Sequence, residues 1–301
     1  MRLTRLIASA SIATIALGGL VGCGSVPGGD ADVITVVAGE NFWGDLAGQV
    51  GGEYVKVTSV LSSPDDDPHE YESSSSNAIA VATAKLVVSN GLGYDDFMAK
   101  LVDASGAHPK TVNVADVLGV DGDDANPHLW YDAAGLPKVA DAIAAELGAL
   151  DPEHKADFEA NAQTFDHSLK PLLDVIAQIK TAYAGTPIAY TEPVPGYLVD
   201  AAGLTLGIPA SFSRAVEEGS DPSPQDIVAF DDAIKSRTVK ALLYNAQVTD
   251  AQTSQIKDLA QSSGVPIVGV TETMPPSFDH IQDWQLSEAK ELLAALQESA
   301  R

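Results

Sequence analysis

The chain contains 301 residues, of which 42 are acidic and 17 are basic, so its formal net charge at pH 7 is −25. A surface this negative repels the phosphate backbone of DNA and RNA, which argues against nucleic-acid binding and is compatible with binding a cation. The length is ample for two domains, and a single cysteine excludes a disulfide within the chain.

The first 23 residues are predicted to be a targeting segment. A short basic start precedes residues 6–20, which are apolar or small and too few for a typical membrane span. The segment ends in LVGC, residues 20–23, which resembles the bacterial lipobox, where the cysteine is lipidated and becomes the mature N-terminus. We therefore expect lipidation at Cys23, followed by a flexible tether over residues 24–32.

The next part of the chain alternates short apolar or β-branched runs with helical patterns. This alternation is typical of βα units around a mostly parallel sheet. The predicted strands are residues 33–38, 54–60, 86–89 and 111–114. The predicted helices are residues 40–50, 77–84, 94–104 and 136–150.

A long helical pattern follows. Asp151 is a candidate N-cap with Pro152 at the first helical position, and apolar residues then recur at spacings of three and four up to Tyr183. Pro171 is a candidate bend. The pattern predicts one stiff helix that links two domains, and a coiled-coil dimer is the competing interpretation.

The alternation restarts after residue 185, with predicted strands at 187–191, 239–244 and 265–270 and predicted helices at 224–235, 251–262 and 283–297. The predicted fold class is therefore α/β, with two βα-sandwich lobes joined by one long linking helix. The expected organisation is a signal peptide over 1–23, a tether over 24–32, lobes over 33–150 and 185–301, and the linking helix over 151–184.

Four potential metal ligands lie after predicted strands. His69 and His128 each follow a proline, in DPHEYE and NPHLW, which places both imidazoles on turns. Glu192 and Glu272 come directly after strands of the second lobe. Ligands of open α/β sheets bind beyond the carboxyl ends of strands, so these four side chains predict one divalent ion in a cleft between the lobes.

Two segments carry a family resemblance. Residues 67–101, which begin DPHEYESSSSNAIA, and residues 126–132, NPHLWYD, resemble the two signatures of the metal-binding solute-binding lipoproteins of manganese/zinc ABC importers, cluster A-I. The resemblance implies that His69 and His128 are the first two ligands and that Glu192 is the third. The fourth ligand of that family is usually an aspartate, and Glu272 stands in its place.

The resemblance implies an extracytoplasmic binding protein that captures manganese or zinc and delivers it to an ABC importer permease, without catalysing a reaction. We expect it to be a monomer, anchored through Cys23 to the outer face of the bacterial cell membrane. Two carboxylate ligands favour a harder ion than an all-histidine site would, and the histidine-rich loop of zinc-specific relatives is absent, so the sequence favours Mn²⁺ slightly over Zn²⁺.

Two other functions fit part of the pattern. An exported metal-dependent hydrolase would use the same ligand types, but four protein ligands leave zinc no open position for water. A binding protein for a metal chelate or an organic solute would share the architecture, although only 6% of the residues are aromatic. Trp43 is a candidate for the cleft or the core, and His108, His154, His167 and His280 are expected at the surface.

Overall fold

The structure is a computed structural model that describes residues 33–63, 71, 74–122, 124–247 and 251–300. His69, the acidic run before it and Cys23 lie outside these residues. Within the described part of the chain, no helix is both long and apolar enough to span a bilayer.

The first sheet contains four parallel strands in the order β2-β1-β3-β4. Val36 of β1 pairs with Val57 of β2 on one side and with Leu86 of β3 on the other. Strand β1 is buried along nearly its whole length, as expected for a parallel sheet that is covered on both faces. The strands are β1 Ile34–Glu40, β2 Val55–Leu61, β3 Leu86–Ser89 and β4 Lys110–Asn113.

The second sheet repeats this topology, with parallel strands in the order β6-β5-β7-β8. The strands are β5 Pro187–Tyr190, β6 Thr205–Leu206, β7 Leu242–Asn245 and β8 Ile267–Val270. The predicted parallel α/β architecture is confirmed. The two-residue strand β6 was not predicted, because so short a run has no visible period.

Twelve α-helices connect or cover the strands in the described residues. They are α1 Asn41–Gly51, α2 Ser75–Thr83, α3 Asp96–Ser105, α4 Val114–Leu118, α5 Leu136–Leu150, α6 Lys155–Ser168, α7 Lys170–Tyr183, α8 Gly196–Ala201, α9 Ala210–Glu217, α10 Pro224–Lys235, α11 Ala251–Ser263 and α12 Ile281–Ser299. Helices α4, α8 and α9 have eight or fewer residues and were not predicted.

The linking segment differs from its prediction in two ways. Its helix begins at Lys155 rather than Pro152, because the Asp151 carboxylate accepts a hydrogen bond from the Glu153 backbone and pairs with His154, which closes a turn instead of capping a helix. The segment is also divided at Leu169 into α6 and α7. Pro171 explains the division, since proline cannot donate the backbone hydrogen bond of a continuous helix.

The predicted apolar stripe of this segment is buried from Phe158 to Ile179 and partly buried at Tyr183. Helix α6 packs against α1 and α5, which precede the linking segment and belong to the first half of the chain. Helix α7 packs against α12, which follows the linking segment and belongs to the second half. One apolar core includes residues of both sheets and of the linking helices. The stripe therefore packs within the chain. The sequence favoured this arrangement over a coiled-coil dimer.

Residues 32–301 form a single compact unit. The lobe limits at residues 150 and 185 consequently remain predictions, although each proposed lobe contains one complete four-stranded sheet.

Candidate metal-binding site

The two sheets present polar residues where their strand order reverses. In the first sheet, β1 and β3 are neighbours; Glu40 ends β1 and Asn90 follows β3. In the second sheet, β5 and β7 are neighbours; Glu192 follows β5 and Asn245 ends β7. The crevice outside the carboxyl ends of two such strands is where open α/β sheets bind ligands. Glu40, Asn90, Glu192 and Asn245 are all buried.

His128 lies in this region with its side chain fully buried. The Asn126 side-chain oxygen accepts a hydrogen bond from the His128 backbone N–H at 3.0 Å and lies 2.6 Å from Nδ1 of the ring. The Asn126 amide nitrogen donates to the Pro193 carbonyl at 2.8 Å, which determines the orientation of the amide. Nδ1 of His128 therefore carries a proton that it donates to Asn126, and Nε2 is the ring atom left to bind a second proton or a metal ion.

The Nε2 atom of His128 faces carboxylate oxygens. It lies 3.3 Å from Oε1 of Glu217 and 3.8 Å from Oε2 of Glu272, and it forms no hydrogen bond with any described residue. A lone pair held against carboxylates is repulsive unless a proton or a cation lies between them. Two ligand atoms each about 2.1 Å from one metal ion are about 3.0–3.4 Å apart at coordination angles of about 90–110°, so the Glu217 contact has the spacing that shared coordination requires.

Glu192 and Glu272, both predicted as ligands, meet through one amide. The side-chain nitrogen of Asn245 donates to Oε2 of Glu192 at 2.8 Å and to Oε1 of Glu272 at 2.7 Å. This contact follows from the topology, because β7 lies between β5 and β8 in the sheet. The backbone N–H of Glu272 also donates to the Gln247 side chain at 2.6 Å, which holds the loop after β8 in position.

Glu217 was not among the predicted site residues. It is the last residue of α9, and its side chain is only 11% exposed. The buried residues of this helix are Phe212, Ser213 and Val216. Glu217 lies four residues after Ser213 and so shares its buried face, whereas Glu218 is exposed. That period was the available signal, and it was missed because α9 itself was not predicted.

Aromatic side chains enclose the first-half side of the site. The Tyr94 hydroxyl donates to Oε2 of Glu272 at 3.2 Å, and the Trp130 ring lies 5.0 Å from Tyr94 and 5.1 Å from His128 between centroids. Burial, together with the charges of Glu272, Glu40 and Glu217, raises the pKa of Tyr94 well above its usual value. Trp43 belongs to the core and donates to the Asn90 side chain at 3.2 Å, so it does not line the cleft.

Two further acids are buried beside Tyr94. Glu40 is fully buried, and burial followed by the charge of Asp95 raises its pKa well above the usual value, which favours the neutral acid. Burial also raises the pKa of Asp95 to about 6, although the backbone N–H groups of Gly91 and Asn90 donate to its carboxylate and oppose the shift.

A cleft of about 550 Å³ opens beside the site. Its walls include Tyr94 and Asn126 from the first half and Pro193, Arg214 and Glu217 from the second. Across its mouth, Arg214 pairs with Asp124 at 2.8 Å, although both side chains are largely exposed. Asp124 thus contacts the opposite half of the chain.

Three of the remaining histidines, His108, His167 and His280, are exposed, as predicted. His154 is only partly exposed and pairs with Asp151, and His280 pairs with Asp45. Among the described residues, no group of three or more His, Cys, Asp or Glu side chains has the arrangement of a complete metal centre. His69, the other predicted imidazole ligand, is not among those residues.

Comparison with known proteins identifies the family. Residues 36–295 match the family described as "ZnuA: Zinc-uptake complex component A periplasmic". The chain belongs to this family.

Curated relatives of this ZnuA-family chain include manganese-binding lipoproteins. The manganese-binding lipoprotein MntA of Halalkalibacterium halodurans is 27% identical over 262 residues, which cover 84% of each chain. MntA of Bacillus subtilis is 24% identical over 274 residues, which cover 86% of each chain. The manganese ABC transporter substrate-binding lipoprotein PsaA of Streptococcus mitis is 23% identical over 271 residues, which cover 82% of this chain and 83% of that one.

Solved structures show the same fold. The Mn-bound periplasmic metal-binding protein of Candidatus Liberibacter asiaticus matches with a TM-score of 0.70 and 20% identity, covering 87% of this chain and 99% of that one. A crystal structure of ZnuA matches with a TM-score of 0.71 and 21% identity, covering 89% of this chain and 99% of the other. The expected family and fold are therefore confirmed.

A second polar network joins the two halves beneath the site. Tyr131 lies 2.7 Å from Oε2 of Glu288 and 2.9 Å from the Thr271 carbonyl, and Trp284 donates to Oε1 of Glu288 at 2.8 Å. Burial raises the pKa of Glu288 to about 8. A phenol has one proton, so a neutral Glu288 that donates to Tyr131, which then donates to Thr271, satisfies every contact.

This network predicts a pH-dependent stability. Between the ordinary pKa of 4.5 and about 8, folded Glu288 holds a proton that the unfolded chain has released. The free energy of unfolding should therefore fall as pH rises, by up to about 1.4 kcal/mol per pH unit. Glu288→Gln reproduces the neutral acid and should reduce this slope in urea unfolding from pH 5 to 8 with chelator present, while Glu40 and Asp95, whose pKa values are also raised, keep their own contributions.

Glu298→Gln, an exposed substitution on the same helix, should keep the wild-type slope. Equal slopes for wild type and Glu288→Gln would show that Glu288 is ionised in the folded protein throughout this range.

Proposed function

We propose that this protein captures a divalent transition metal outside the cytoplasm and delivers it to the membrane permease of an ABC importer. The observation that carries the proposal is the position of Nε2 of buried His128, which lies 3.3 Å from a Glu217 oxygen and 3.8 Å from a Glu272 oxygen. A bound cation converts this repulsive arrangement into a stable one. Membership of the ZnuA family and the manganese-binding relatives support the same function.

The proposed ligands are His69, His128, Glu192 and Glu272. His128 is held in the metal-binding tautomer by Asn126, a common arrangement for histidine ligands. Asn245 holds the two glutamates at a fixed separation from one another. His69 joins this set through its DPHEYE segment, which resembles the first signature of the family.

The cargo is proposed to be Mn²⁺ in preference to Zn²⁺. Carboxylate oxygen suits the harder Mn²⁺, whereas zinc is well served by nitrogen and sulfur ligands in four-coordinate sites. Relatives named for manganese support this choice.

The protein is proposed to act by binding alone, as a monomer. A hydrolase would need a metal position open to water and a general base beside it. The buried carboxylates around Nε2 of His128 are suited instead to surrounding the ion and removing its water.

Loss of either imidazole should abolish tight binding. His69→Ala or His128→Ala is expected to weaken metal affinity about a hundredfold or more, equivalent to about 3 kcal/mol, because each removes a nitrogen donor and exposes the ion to water. Isothermal titration calorimetry with Mn²⁺ and Zn²⁺ measures the change.

His167→Ala is the matched control, since His167 is an exposed histidine on α6 and should not affect binding. Wild-type affinity in both site variants would exclude the proposed ligands.

The cargo can be identified by co-purification. Protein expressed in medium that contains both manganese and zinc, with zinc kept scarce by a chelator, should carry mainly manganese in elemental analysis. The zinc restriction is needed because zinc binds most mixed nitrogen and oxygen sites more tightly than manganese does. Zinc as the main metal in this medium would refute the proposed preference.

Membrane attachment is proposed to depend on Cys23. Cys23→Ala should abolish incorporation of labelled fatty acid and move the protein from the membrane to the soluble extracytoplasmic fraction, because the substitution removes the acceptor thiol. Cell fractionation and lipid labelling measure both effects. Retention of the variant in washed membranes would indicate another anchor.

A further inference from the structure

Helix α9 is attached to the second half of the chain on its buried side. Phe212 and Val216 pack in the apolar cluster beside the second sheet. The Ser213 hydroxyl donates to the Tyr190 carbonyl, at the end of β5, at 2.9 Å. The last residue of the helix, Glu217, is therefore placed by packing at the carboxyl end of the sheet.

Among the described acidic groups, the Glu217 carboxylate lies nearest to Nε2 of His128. Its Oε1 lies 3.3 Å from Nε2, compared with 3.8 Å for Oε2 of Glu272, one of the proposed ligands. His128 is fully buried, and its Nε2 forms no hydrogen bond with a described residue. The geometry that supports Glu272 as a ligand thus supports Glu217 at least as well.

Glu217 also faces the route to solvent. Of the three described carboxylates near His128 or Asn245, Glu217 lines the 550 Å³ cleft, and Glu192 and Glu272 do not. Glu217 is thus positioned to contact an ion in the cleft and an ion beside His128.

We propose that Glu217 is a further ligand of the captured ion, located between the ion and the cleft, and that it determines the preference for Mn²⁺ over Zn²⁺. The proposal rests on the metal-capture function proposed above. With Glu217, the described groups proposed to hold the ion are the imidazole of His128 and three carboxylates, those of Glu192, Glu217 and Glu272. Zinc is satisfied by four ligands, whereas manganese accepts a larger, oxygen-rich set, so the additional carboxylate stabilises Mn²⁺ more.

The test compares Glu217→Gln with Glu218→Gln. Glu218 follows Glu217, is exposed and lines the same cleft, so its substitution makes the same change in charge without facing His128. The purified full-length protein is stripped with a chelator and titrated separately with Mn²⁺ and Zn²⁺ against a competing chelator. Electron paramagnetic resonance of bound Mn²⁺ reports the change in coordination.

Glu217→Gln should weaken Mn²⁺ binding about tenfold or more and Zn²⁺ binding less than about threefold. Its Mn²⁺ spectrum should differ from that of the wild type. Glu218→Gln should match the wild type for both ions and in its spectrum. Unchanged Mn²⁺ affinity in Glu217→Gln, or equal losses for the two ions, would overturn the proposal.

A second variant separates the ligand role from a folding defect. Glu217→Asp keeps a carboxylate with a shorter reach and should recover part of the Mn²⁺ affinity that Glu217→Gln loses. An aspartate variant no better than the glutamine variant would count against coordination. If the wild type binds neither ion, the capture function fails; if the wild type binds metal and Glu217→Gln matches it for both ions, only the role of Glu217 fails.

Discussion

The contact between Asn126 and Nδ1 of His128 is the constraint on which the site depends. Asn126 donates to the Pro193 carbonyl in the opposite half of the chain, so its oxygen must face the histidine. The imidazole proton is thereby held on Nδ1, and Nε2 is turned towards carboxylates. One amide side chain thus selects the tautomer and contacts both halves. Coordination chemistry at His128 is consequently coupled to the relative position of the two sheets.

Electrostatics explains why a cation belongs in this arrangement. Glu192 and Glu272 are buried and share the Asn245 amide, which supplies dipoles but no positive charge. Bringing several carboxylates together in a buried region is costly because their like charges repel, and the rings of Tyr94 and Trp130 lie against each other at the same place. Burial raises the pKa of Glu40 and of Glu288, which favours their neutral forms and limits the charge that they add. A divalent ion bound among the carboxylates would offset their repulsion.

The parts of the site that follow from strand order could be predicted from sequence, and those that follow from helix position could not. Glu192 and Glu272 stand directly after strands, so the parallel topology alone places them at one edge of the sheet. Glu217 is carried there by α9, an eight-residue helix whose position is determined by tertiary packing. The linking segment is a second example. Its apolar stripe could be predicted from the sequence, but the contacts of Asp151 with Glu153 and His154 could not, and they delay the start of the helix to Lys155.

The repeated 2-1-3-4 strand order gives the two halves equivalent crevices with different chemistry. The first contributes His128, Tyr94 and aromatic rings, and the second contributes carboxylates that Asn245 holds. Helices α6 and α7 pack against opposite halves and meet at Leu169, so a change in the angle between the sheets would act on that junction. Hydrogen bonds of Asn126 and Tyr131 cross between the halves, and Asn126 also contacts His128, so separating the halves at the proposed site would break these bonds. Release of the ion therefore requires an opposing interaction of comparable strength, which docking on the permease is suited to provide.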